Sequence, residues 1–93
     1  MTTIPTEDRA EPTDPWAVEE AVLQALRAAL DAPDLSGDDD FFALGGDSRA
    51  AVRAITLIRE ATGIEVPVAF IFLNPSAAKL ADAVRSLIRT PAA

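Results

Sequence analysis

The stretch Phe41-Phe42-Ala43-Leu44-Gly45-Gly46-Asp47-Ser48 runs straight into an alanine-rich helical pattern and sets one hydroxyl at the lip of a helix. Few chemistries are open to that serine. A hydrolase nucleophile elbow reads G-x-S-x-G; Gly46-Asp47-Ser48 supplies its first half, but Ala50 stands where the second glycine belongs. No histidine exists to take a proton and no cysteine to supply a thiol, which weighs against a self-contained enzyme. The phosphate-cradling G-x-x-x-x-G-K-[ST] loop is absent. Asp38-Asp39-Asp40 has neither the alternate spacing nor the following glycine of a calcium loop, so a solvated acidic loop is the plainer reading. Helix capping is the plain reading for Ser48 itself, since serine and aspartate are both favoured caps. Yet three residues beyond Ser48 is Ala51, and beyond Asp47 is Ala50, so neither forms a capping box. Two consecutive glycines also cost backbone entropy that capping alone does not require. They are expected to clear space around the hydroxyl for a partner approaching from outside. A helix start favours an anion by about 0.3–1 kcal/mol in exposed settings, and Arg49 could add a charge-assisted contact. The residues thus support a phosphate ester on Ser48 without identifying it.

The elements that must hold this hydroxyl in place come from a small chain. Its 93 residues suffice for one domain, and 49% of them are hydrophobic, enough to fold. A deep substrate pocket would consume most of so small a core. No run approaches the ~20 apolar residues of a membrane span, and the start MTTIPTEDRAEPTDP lacks the basic and apolar regions of a signal peptide. A soluble, cytoplasmic protein is expected. The net charge of -7 is uneven: residues 1–47 hold 12 acids and 2 bases, residues 48–93 hold 3 acids and 6 bases. The acidic balance disfavours nucleic acid.

Residues 1–13 and 91–93 read as polar or short tails around a domain at 14–90. Asp14-Pro15 signals a helix start, and Val18, Val22, Leu26 and Ala29 recur at helical spacing up to Pro33. The spacing predicts a first helix over about 15–31, with Trp16 covering one end of the core. A long acidic loop follows over 32–47, pinned by Phe41, Phe42 and Leu44. The second helix is expected from Asp47 or Ser48 to about Thr62, with Val52, Ile55 and Ile58 buried, Leu57 off that stripe, and Gly63 as its stop. IEVPVAFIFL has strand-like residues, but no second strand candidate exists to pair with it; a short helix after Pro67 is expected instead. Asn74-Pro75 reads as a cap and proline opening the last helix, whose stripe is Ala77, Leu80, Ala81, Val84 and Leu87 and which ends near Arg89. The fold class is all-α, a small bundle of three main helices and one short one.

FFALGGDS, a helix, and then GIEVPVAFIFLNPSAAKLA resemble the phosphopantetheine-dependent carrier proteins, most nearly peptidyl carrier proteins of nonribosomal peptide synthesis. The likeness covers about residues 16–89, with Phe72 and Pro75 at family positions. It implies an acyl-carrier-protein-like four-helix bundle with Ser48 as the attachment point, in the local setting of Gly46, Asp47 and Arg49. It implies that Ser48 accepts 4′-phosphopantetheine from coenzyme A through a separate phosphopantetheinyl transferase and magnesium. The arm's thiol would then hold an aminoacyl or acyl group as a thioester, so that a chain without cysteine takes its thiol from a cofactor. The chain itself would be non-catalytic. Its implied partners are the transferase, an adenylating enzyme, and downstream condensing, tailoring or acyltransferase enzymes; nucleic acid and membrane are not expected, and the protein should be a monomer.

Two departures from the family pattern bear on partners. Arg49 occupies the place where leucine or isoleucine usually follows the serine, and the second helix carries Arg49, Arg53 and Arg59 against Glu60 alone. A partner surface with acidic patches is therefore expected, although an arginine face can equally be merely solvated. Leu44, Arg49, Arg53, Phe70 and Leu73 are the candidate partner contacts, with core packing the rival role for Phe70 and Leu73. The initial methionine and lack of a second domain suit a free-standing protein; an excised module is the alternative. The alternatives in function are an acyl carrier of polyketide synthesis, or a helical interaction module in which Ser48 is a cap or a phosphosite.

Overall fold

The computed structural model describes residues 15–89, with side chains from 17 to 87. The tails expected at 1–13 and 91–93, the Asp14 cap and the Trp16 side chain lie outside the described residues. Four helices appear in chain order: α1 Pro15–Leu30, α2 Ser48–Thr62, α3 Ala69–Leu73 and α4 Ala77–Arg89. No strand occurs among the described residues, so the segment after Gly63 folds as the expected short helix.

α1 packs against both α2 and α4. It buries Val18, Val22 and Leu26 of the predicted stripe completely and adds Ala25, while Ala29, also expected there, is half-buried. Its end is not made by Pro33. Asp31 takes a left-handed backbone at φ 54°, Ala32 N–H donates to Arg27 O at 2.9 Å, and Asp31 N–H donates to Ala28 O at 3.3 Å. This pair of bonds is a Schellman closure, here with aspartate where glycine is the usual residue.

α2 ends as expected. Gly63 has φ 74° and its N–H donates to Arg59 O. Next to it, the buried Thr62 hydroxyl donates to Ile58 O at 2.7 Å and accepts from Ile64 N–H at 3.1 Å, so no polar atom is left unpaired there. The buried face of α2, however, is Ala51, Ala54, Ile55, Ile58 and Thr62. Val52, expected on the buried stripe, is 54% exposed. It lies one residue, about 100° of turn, from Ala51. Alanines at 51 and 54 leave room for a neighbouring helix to approach closely, and the larger valine faces out.

The start of α4 also differs from expectation. Asn74 closes α3, with both its N–H and its Nδ2 donating to Phe70 O, at 2.8 and 3.1 Å. Ser76 is the cap of α4, its Oγ accepting from Lys79 N–H at 3.3 Å. Beyond it, Ala77, Leu80, Ala81 and Val84 are buried as predicted, and Leu87 packs half-buried against them.

The long loop between α1 and α2 is held at several points. Leu35 and Phe41 enter the core, at 2% and 0% exposure. Arg27 Nε donates to Leu35 O at 2.8 Å. Phe41 N–H donates to Pro75 O and Ala78 N–H to Gly37 O, tying the loop to the start of α4. Phe42 is half-buried and joins the pinning, but Leu44 is 48% exposed and does not. Leu44 N–H donates to Asp40 O, and Gly46 N–H to Phe41 O. These tight turns aim Phe41 inward and Leu44 outward, and Leu35 is the buried leucine of the loop.

Candidate functional site

Ser48 is the first residue of α2 and is exposed. It is not the cap. Asp47 has the extended backbone of an N-cap, and its Oδ1 accepts from Ala50 N–H at 2.9 Å. The Ser48 hydroxyl has no hydrogen-bond partner among the described residues. The capping role is thereby filled by the neighbouring carboxylate, and the hydroxyl is left open to solvent one residue into the helix.

The two glycines before it serve different ends. A Cβ on Gly46 would fall inside the van der Waals envelope of Cδ2 and Cε2 of Phe41 and 2.8 Å from its carbonyl oxygen. Gly46 therefore makes room for the buried ring beneath the loop, rather than for space around the hydroxyl. Gly45 has φ 104°, a conformation side chains resist, and a Cβ there would meet nothing within 4 Å. Together they let the loop settle on Phe41 and deliver Asp47 and Ser48 at the right height to begin α2.

Three phenyl rings run from this point to the surface. Phe41 meets Phe42 edge-on, with centroids 5.1 Å apart and planes at 87°. Phe42 stacks on Phe72 of α3 at 5.1 Å and 16°. α3 itself sends Ile71 into the core. Phe70, a candidate partner contact, is half-buried against the core instead of being fully presented; Phe72 takes the exposed position at 49%, beside Leu73 at 76%. The short helix is rotated so that residues 70 and 71 face the bundle, which periodicity over five residues could not resolve. Sequence reasoning placed Phe72 in its motif but gave it no surface role.

Ser48, Arg49 and Val52 line one shallow depression. Arg49 and Arg53 are exposed and have no acidic or hydrogen-bonding partner among the described residues. Arg59 differs: its Nε lies 3.4 Å from Glu65 Oε1. The uncompensated positive charge of α2 is therefore confined to its first two turns, next to the serine. Thr56 donates its hydroxyl to Val52 O at 2.9 Å, so it adds no free donor to this face. Leu44, Val52, Val68, Phe72 and Leu73 are the large apolar side chains left exposed among the described residues.

Two carboxylates of the acidic run fold the loop. Asp40 Oδ1 accepts from the N–H groups of Phe42 and Ala43, and Asp39 Oδ2 from Ser36 N–H. Both carboxylates are spent on folding the loop. No group of three or more potential metal ligands occurs among the described residues, and no helix there is long and apolar enough to cross a membrane.

An exposed, unpartnered hydroxyl with open space beside it and an adjacent guanidinium fits a covalently attached phosphodiester arm. The comparisons with known proteins agree in kind. The chain is 38% identical over 81 residues to a probable non-canonical nonribosomal peptide synthetase, CymA, of Salinispora arenicola, covering 87% of this chain and 1% of that protein. It is 44% identical over 57 residues to phosphinothricin tripeptide synthetase PhsB of Streptomyces viridochromogenes, covering 61% and 5% respectively. It is 39% identical over 64 residues to a dimodular nonribosomal peptide synthase of Bacillus subtilis, covering 69% and 3%. The chain thus spans only a few per cent of the length of each of these relatives. A family profile described as the phosphopantetheine attachment site matches residues 18–84, taking in α2 whole and the loop that presents its first residue; the chain belongs to the phosphopantetheine-attachment family, whose cofactor is covalent 4′-phosphopantetheine.

Proposed function

We propose that Ser48 is the attachment point and that the protein works as a carrier in nonribosomal peptide synthesis. The observation that carries this is the division of labour at the head of α2: Asp47 caps the helix, which releases the Ser48 hydroxyl from any structural task. A helix-cap role for Ser48 loses its support for the same reason. When bound, the phosphopantetheine arm supplies a terminal thiol that holds an aminoacyl or acyl group as a thioester. The chain's own residues present the hydroxyl, keep its surroundings open and offer a surface to partners. They perform no bond-making themselves: with neither histidine nor cysteine in the sequence, the base that deprotonates Ser48 belongs to a phosphopantetheinyl transferase. Tethering raises the effective concentration of the cargo at each enzyme's active site without requiring tight docking.

The docking surface we assign surrounds the serine. It comprises Arg49 and Arg53 on α2, Leu44 on the loop, and Leu73 on α3, with Phe72 in the exposed role expected of Phe70. The free charges on this face favour partners with acidic patches. The transferase, an adenylating enzyme and downstream condensing or tailoring enzymes are the partner classes, in the cytoplasm. The names of the relatives support the peptidyl kind of carrier over the polyketide kind.

Incubation of the full chain with coenzyme A, magnesium and a panel of broad-range transferases tests the assignment by intact mass. One phosphopantetheine should be added, and Ser48→Ala should accept none while keeping its helical circular dichroism. Modification of the Ser48→Ala protein, or no modification of the wild type by any transferase, would overturn it.

A further inference from the structure

The head of α2 already holds one anion, and the attached arm brings a second. Asp47 must keep its carboxylate there, because that carboxylate caps the helix by accepting from Ala50 N–H. A phosphodiester on Ser48 places a second anion one residue away. Like charges at such separations repel. Two free cations lie nearby, but they are not equivalent. Arg49 lines the same depression as Ser48, together with Val52, whereas Arg53 does not. Arg49 is exposed and meets no acid within the described residues, so nothing in the bundle competes for its guanidinium. Arg59 lies about three turns further along α2 and already faces Glu65.

We propose that Arg49 is the intramolecular counter-ion of the arm's phosphodiester, a positioning residue that holds the first segment of the arm over the Val52 side of α2. This rests on Ser48 being the attachment point. Guanidinium matches phosphate oxygens with paired donors and stays charged at every physiological pH. The contact is solvent-exposed, so it is a bias and not a lock. An exposed ion pair of ordinary strength populates the closed arrangement about two- to fivefold over the open one at low salt, and screening removes most of that preference. The arm therefore leaves its root in a preferred direction yet is released readily when a partner competes for either charge. Arg53 remains free for the partner in the holo state, whereas Arg49 meets a partner only by giving up the phosphodiester.

Solution NMR on the full chain tests the assignment. Apo and holo proteins are prepared with nitrogen-15 label, and holo formation is checked by intact mass. On going from apo to holo at low salt, the Arg49 Nε–Hε resonance should shift and its solvent exchange should slow about three- to sixfold, while that of Arg53 stays nearly unchanged. The phosphorus resonance of the holo protein should depend on salt in the wild type and lose that dependence in Arg49→Gln, with Arg49→Lys intermediate. Backbone amides of α2 beyond its first turn report that each variant is folded. If holo protein forms and Arg49 gives the same signal in both states, this assignment falls while the carrier function stands. If no holo protein forms with any transferase, the carrier function falls and takes this assignment with it.

Discussion

Gly46 offers the sharpest test of how the loop before α2 is built. A Cβ at this position would collide with two ring atoms of Phe41 and approach its carbonyl oxygen to 2.8 Å. The ring cannot easily retreat. Phe41 is 0% exposed, its edge is held against Phe42, and its carbonyl already accepts the Gly46 N–H at 3.0 Å. Gly46→Ala therefore forces either the ring or the loop to move, an overpacking that costs about 1–3 kcal/mol. For a domain of this size each kcal/mol lowers the melting temperature by about 4–8 °C. Part of the penalty should be relieved by a smaller side chain beneath. Phe41→Leu alone is destabilising through lost burial, but in the double variant Gly46→Ala/Phe41→Leu the two losses should fall short of their sum by about 0.5–2 kcal/mol. Gly45→Ala is the control, since a Cβ there meets nothing and its penalty is conformational; its loss should add to that of Phe41→Leu. Urea denaturation followed by far-ultraviolet circular dichroism measures the three single variants, the two double variants and the wild type. Additivity of Gly46→Ala with Phe41→Leu within about 0.5 kcal/mol would refute the argument that Gly46 exists for the ring.

Two further outcomes concern the end of α1 and the exposed face of α2. Asp31→Gly should stabilise the protein by about 0.5–1 kcal/mol, because it removes both a side chain from a left-handed position and an acid from the negative end of α1; an unchanged or lower urea midpoint would contradict the Schellman closure. Arg53→Glu should lower the kcat/KM of loading by an acidic-faced partner about two- to tenfold at low salt, the difference shrinking as salt rises; kinetics that match the wild type at every salt concentration would remove Arg53 from the docking surface.

Much of this architecture can be read from residue types alone, for identifiable reasons. α1 and α4 carry branched apolar residues at helical spacing, so their buried faces are plain. α2 is harder because its contact face includes Ala51 and Ala54. Alanine scores weakly as a core residue, and Val52 next door draws attention to the wrong face. Capping assignments fail where two candidates are adjacent. Asn74-Pro75 carries the pattern of a helix start, yet the backbone needs Asn74 to finish α3 and gives the cap to Ser76 two residues later. The same ambiguity at Asp47-Ser48 is the one that matters for function, because only the structure separates the residue that holds the helix from the residue left free. The glycine pair was legible as unusual, but its cause was not: one glycine answers to a ring distant by five residues, the other to its own torsion angle. Charge was legible as composition, whereas the pairing of Arg59 with Glu65, which leaves Arg49 and Arg53 uncompensated, depends on where the chain turns after Gly63.

The stacked Phe42 and Phe72 have a mechanical consequence. α3 commits Ile71 fully and Phe70 partly to the interior, so few buried contacts resist its displacement. Its other attachment to the loop is this pair of rings, half open to solvent. An enzyme that wedges an apolar group between them would loosen α3 and, through Phe42 and Phe41, tug on the peptide that roots the serine. The docking surface we assign would thus carry the give of the protein, in the manner of a hinge plate screwed to a door frame.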